Sequence, residues 1–89
     1  MFERKGTGYY DSEGIEIKDG DLLNNEYNVV NEVRFFQGEW SYSHGDWGTF
    51  GRLSRIEDFS KIYIIGNIFE NPDLIDRTTK MVIYEKDLN

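Results

Sequence analysis

The side chains able to do chemistry are few and scattered. His44 is the single histidine of the chain, two residues from Asp46, in a Gly-containing turn between Trp40 and Trp47. A metal or acid–base centre needs further ligands or a nucleophile beside it, and none is spaced to serve. Asp19 and Asp21 flank Gly20, but the D-x-D-x-D-G spacing of a calcium loop is absent. A turn at Gly20 and a local backbone hydrogen bond from Asp21 account for these residues without a ligand. Thr7-Gly8 lacks the G-K-[ST] ending of a phosphate loop. With no cysteine there is neither a thiolate zinc site nor a disulfide framework. Asn67 and Asn71 read as polar groups that tie down the turn after Glu70 rather than as catalytic amides. The expectation is a protein without catalytic residues, metal or cofactor.

What remains is a binding surface. Arg34, Trp40, Tyr42, Trp47, Phe50 and Arg52 interleave aromatic rings with guanidinium groups over nineteen positions. Such a set stacks single-stranded bases or anchors a protein partner. In a domain of 89 residues, rings of this kind more often form the core.

Charge separates the partner classes. The formal net charge is −7, and residues 1–32 hold eight acids against three bases. Non-specific grip on duplex nucleic acid needs cations that neutralise phosphate, and anionic membranes need the same. No stretch reaches the length of a membrane span, and no charged-then-apolar leader opens the sequence. The sequence therefore reads as a single soluble, intracellular domain over residues 1–89.

The elements that must position these residues are short strands. Ile15 and Ile17 alternate with Glu16 and Lys18 after a turn-rich stretch from Thr7 to Gly14, and Asp19-Gly20-Asp21 turns the chain into a strand beginning at Leu22-Leu23. Val29 to Ser43 reads as a hairpin about Gln37-Gly38. That register sets Phe35 opposite Trp40 and Val33 opposite Tyr42 on an apolar face, with Arg34 opposite Ser41 and Glu32 opposite Ser43 on a polar one. Trp47 to Leu53 reads as a further strand, and Ser54 as the cap of a short helix over residues 55–59 that buries Ile56 and Phe59.

Ile62 to Ile75 is the longest apolar run, with both strand faces apolar, and so reads as a central strand covered on two sides. Gly66 marks a bulge or a close backbone approach, and Asn71-Pro72-Asp73 opens a helical turn with Asn71 at the N-cap. Lys80 to Glu85 reads as a last strand. The pattern gives a mainly β fold: a small SH3-like or related partly open barrel of five to six short strands with one or two single-turn helices. An α+β roll is the alternative.

Two segments carry a resemblance. The run from Thr7 to Leu23, TGYYDSEGIEIKDGDLL, resembles the T-G-x-x-D-x-x-G-x-x-I-x-x-G-D-[IL]-[VL] segment of the YopX family. Ile65 to Ile75, IGNIFENPDLI, resembles its I-G-N-I-[YF]-E-N-P-[ED]-L-[LI] signature. The matching motif positions include Gly8, Gly14, Gly20, Asp21, Gly66, Asn67, Asn71 and Pro72, all read as structural. Family members commonly carry a longer segment before the T-G element than the six residues here. The resemblance implies a β-rich phage or prophage protein acting in the cytoplasm of a bacterial host, and it implies no activity.

Composition, motifs and resemblance together lead to a non-enzymatic accessory protein that works by protein–protein contact or self-association. One alternative is a single-stranded nucleic-acid module using the aromatic–arginine set. The other is an acidic mimic of nucleic acid built on Asp11, Glu13, Glu16, Asp19 and Asp21, which would block a host DNA-binding protein.

Overall fold

The computed structural model describes residues 3–45 and 47–75; the expected strand at Lys80–Glu85 lies outside them. Seven strands occur among the described residues: β1 (Gly6–Tyr10), β2 (Glu16–Lys18), β3 (Asp21–Asn24), β4 (Val30–Phe36), β5 (Glu39–Ser43), β6 (Gly51–Arg52) and β7 (Tyr63–Asn67). β1 and β2 pair as a two-stranded sheet, and the others form an antiparallel sheet in the order β6-β5-β4-β3-β7. The fold is mainly β, and its two sheets do not close into a barrel. Its helical parts among the described residues are three 3-10 turns, Leu53–Arg55, Phe59–Lys61 and Pro72–Leu74.

The β4–β5 hairpin has the register that its residue pattern dictates: Glu32 opposite Ser43, Val33 opposite Tyr42, Arg34 opposite Ser41 and Phe35 opposite Trp40. Gln37 and Gly38 both take positive φ, the geometry of a two-residue turn whose twist matches that of the flanking strands. The inner face of the sheet packs Leu23 and Val33 against Ile17 of β2 and Leu53. Around this core lie Tyr9, Trp40, Tyr42, Ile56, Phe59, Ile62 and Ile64, with Tyr9 and Phe59 stacked at 5.7 Å.

The outer face departs from its expected polarity. Glu32 is only 2 % exposed, and Ser41 and Ser43 are buried with it. The cause is the segment after β5, which folds back over this face instead of forming a long strand from Trp47 to Leu53. Phe36 meets Trp47 at 5.2 Å and Phe50 at 4.7 Å, and Ser43 Oγ donates to the Thr49 carbonyl at 3.1 Å. Only Gly51 and Arg52 of that segment join the sheet.

The helix expected over residues 55–59 is replaced by two 3-10 turns. Asp58, not Ser54, provides a cap, its carboxylate accepting the Ser60 N–H at 2.9 Å. Ser54 instead donates to Glu39. Thr7 to Tyr10, expected to be turn, is the greater part of β1, with the irregular register of a bulge between Gly6 and Tyr10.

Ile62–Ile75 is not the central strand. Among the described residues, β7 pairs only with β3 and stands at the sheet edge, where Tyr63 and Ile65 remain 44 % and 38 % exposed. Its edge groups are nevertheless occupied. Ser12 N–H donates to the Ile62 carbonyl at 2.8 Å, Ile64 N–H to the Asp11 carboxylate at 3.2 Å, and Asn67 N–H to Asn71 Oδ1 at 3.2 Å. A strand edge satisfied in this way offers little to an incoming strand. The pairing slips at Gly66, as a bulge requires, and a side chain there would meet Asn71 Oδ1 at 2.6 Å.

Candidate functional site

Several residues of the family motifs make local contacts that hold turns and edges. Asp11 is buried and accepts the N–H groups of Glu13 and Ile15, both at 2.9 Å, besides that of Ile64. One carboxylate thus fixes the β1–β2 turn, which Gly14 closes by donating to the Asp11 carbonyl, and ties it to β7. Asp21 accepts from Arg4 at 2.5 Å and from the Lys18 N–H at 2.7 Å. Gly20 takes φ +85, and the Phe69 ring fills the space a side chain would need, so glycine is required twice over. Asn67 Oδ1 accepts the N–H groups of Phe69 and Glu70, and so ties down the turn as its sequence position suggests. Asn71 precedes Pro72 but makes no side-chain cap bond; its amide oxygen points back to Asn67.

The sequence set of six binding residues is divided by the sheet. Trp40 and Tyr42 lie on the inner face, and Tyr42 is half-buried against the core. Arg34 and Arg52 belong to the outer face, since both register opposite Ser41. Trp47 and Phe50 pack on Phe36 beside them, and the Arg52 guanidinium sits 5.2 Å over the Phe50 ring. Arg34 bridges Asp19 at 3.0 Å and Glu32 at 3.7 Å. No single platform presents the two tryptophans together. His44, exposed, has Nδ1 2.5 Å from the Val30 carbonyl, a bond that pins the start of the folded-back segment. Among the described residues no group of three His, Asp or Glu side chains could hold a metal ion.

One part of the set does line a cavity. Trp40 joins Phe35, Lys5, Gly6 and Asp19 around a cleft of about 340 Å³, at the end of the two-stranded sheet where Gly6 pairs with Lys18. Phe35 is 59 % exposed and meets Trp40 edge to face at 5.2 Å. The Asp19 charge is engaged by Arg34, whereas the Lys5 ammonium has no ionic partner among the described residues. The cleft therefore offers an apolar, ring-lined wall and, in Lys5, a lining cation without an ionic partner among the described residues. A second cavity, about 100 Å³ between Leu23, Tyr42, Ile56 and Ile62, is too small for more than a few solvent molecules.

Lys5, Asp19 and Phe35 were not legible as site residues. Lys5 stands in a short polar stretch, Asp19 reads as turn, and Phe35 falls on the face that its alternation assigns to the core. Their common signal, exposure around one cleft, exists only after the two sheets have packed.

Fold and motif geometry define a small antiparallel β domain whose recurrent Gly, Asp and Asn residues serve its turns and edges. The chain belongs to the YopX family: the family profile described as YopX protein matches residues 4–76, which include both motif segments. No curated protein matches the chain.

Proposed function

We propose that this protein is a non-enzymatic accessory protein of phage or prophage origin that acts in the bacterial cytoplasm by protein–protein contact, through the Phe35–Trp40 cleft. The observation that carries this reading is the exposure of Phe35 against Trp40 beside Lys5, which has no ionic partner among the described residues. Exposed aromatic anchors flanked by a charge are the usual energetic centre of an interface. Capping of the β7 edge by Ser12, Asp11 and Asn71 favours contact by side chains in a cleft over strand addition.

The nucleic-acid reading gains less support, because Trp40 and Trp47 lie on opposite faces and Trp47 packs on its own neighbours. The charge-mimic reading fares no better. Asp11 and Asp21 are buried and bonded inward and Asp19 is paired, which leaves no row of displayed carboxylates.

A photoreactive benzoylphenylalanine at position 35 tests the proposal in host cells. The expected result is a discrete crosslinked protein adduct that the Trp40→Ala change suppresses. Absence of any adduct from a stably folded variant would sink the reading.

A further inference from the structure

The β1–β2 sheet has the cleft at one end, where Gly6 pairs with Lys18, and a protruding turn at the other, where Tyr10 pairs with Glu16. Because β1 bulges between them, the two ends lie only two residue steps apart along β2, roughly 7 Å. The turn is pre-organised. Asp11 receives two of its backbone N–H groups, Gly14 N–H bonds to the Asp11 carbonyl at 3.0 Å, and Asp11 N–H bonds to the Ile15 carbonyl at 2.9 Å. On this rigid support Tyr10 and Ile15 are 52 % and 50 % exposed, and Glu13 between them is exposed with no ionic partner among the described residues. A fixed apolar pair flanking a carboxylate is the chemical complement of a ring-lined cleft with an ammonium, neither charge being paired among the described residues. A rigid projection also loses little entropy when it docks.

We propose that the occupant of the cleft is a second copy of this chain, whose Tyr10–Ile15 turn packs against the Phe35–Trp40 wall with Glu13 facing Lys5. This rests on the reading of the cleft as a protein-contact site and names its partner. Projection and cleft are different surfaces at opposite ends of one hairpin, so the contact is heterologous. Copies add head to tail, closing into a ring or extending as a filament according to the rotation between neighbours. The Glu13–Lys5 pair sets register and orientation, and the rings supply most of the contact, because a rim charge pair by itself adds little.

Sedimentation velocity of the purified full chain, raised to about 1 mM where even weak contacts are populated, tests the proposal. Mass should grow with concentration, and Phe35→Asp or Ile15→Asp should each weaken association by at least about tenfold. Both positions are half-exposed or more, and retention of the thermal midpoint shows that the variants fold. An equimolar mixture of the two should give a species capped at the dimer, because one intact projection and one intact cleft remain. Lys5→Glu and Glu13→Lys should each weaken association, and the double exchange should restore it. A wild-type chain that stays monomeric, a mixture that yields no dimer, or charge variants that associate as wild type would each overturn the proposal. A monomer in solution that still forms the position-35 adduct with a different protein would overturn only this inference, leaving the contact site itself intact.

Discussion

Phe35 and Phe36 are adjacent in the chain and meet opposite fates. Phe36 lies on the outer face under Trp47 and Phe50, with Arg52 donating to its carbonyl at 3.2 Å. Phe35 lies on the inner face but beyond the reach of the core, where its contact is Trp40 and open cleft. Both clusters join aromatic rings to a cation. One is closed by the chain's own folded-back segment; the other is left without a cover among the described residues. An aromatic cluster thus becomes a candidate site when the chain supplies no segment to close it.

The largest expected effects lie on the closed side. Trp47→Ala or Phe50→Ala removes a half-buried ring and should cost about 2–3 kcal/mol, at the lower end for aromatic truncation. In a domain of this size that lowers the thermal midpoint by roughly 10 °C or more. Phe35→Ala should cost under about 1 kcal/mol, since more than half of the side chain is already in water. Equal losses in thermal melts of the two sets would erase the distinction between closed and open clusters.

An intermediate effect tests the polar base of the closed side. Arg34→Ala leaves buried Glu32 without its guanidinium and releases Asp19 at the cleft, and should cost about 1–3 kcal/mol by chemical denaturation. Arg34→Lys should recover little of this, because Nε faces one carboxylate and Nη1 the other. Full recovery by lysine would mean that charge alone matters there.

The smallest effect belongs to the inner face, where Asp58 caps the turn that presents Phe59 to Tyr9. The Ser60 backbone N–H and then its hydroxyl hold the Asp58 carboxyl below its usual value, with Lys61 adding to the shift. A carboxyl depressed in the folded state stabilises above its unfolded pKa and loses that contribution as pH falls through the folded value. The midpoint difference between wild type and Asp58→Ala should be small near pH 7 and vanish at about pH 2. A difference that persists in acid would show that the cap does not depend on the charge.

Local chemistry made much of the fold legible. The hairpin register followed from alternation and from Gln37-Gly38, because a one-residue slip exchanges every side chain between faces. The bulge at Gly66 and the tying role of Asn67 followed from residue type and position. The mainly β class followed from short strand-like runs separated by turn signals, and the family from the Thr7–Leu23 and Ile65–Ile75 segments. The helix over residues 55–59 and the strand from Trp47 failed for the same reason. Propensity there was overruled by rings that found better burial against Phe36 and Tyr9.

By itself, the sequence determined which groups turn, cap and alternate, because those properties depend on neighbours a few residues away. Only the tertiary structure decided which surfaces stay open. Ile62–Ile75 looked central because both its faces are apolar, yet among the described residues β3 alone pairs with it and Asp11, fifty-three residues from Ile64, caps its edge. Arg34, Trp40, Tyr42, Trp47, Phe50 and Arg52 looked like one surface, yet the pleat sent them to two faces. Lys5, Asp19 and Phe35 looked unrelated, yet the packing of a small sheet on a larger one placed them around one cleft. Alternation sorts side chains to the two faces of a sheet, but exposure depends on which distant segment arrives to cover each face.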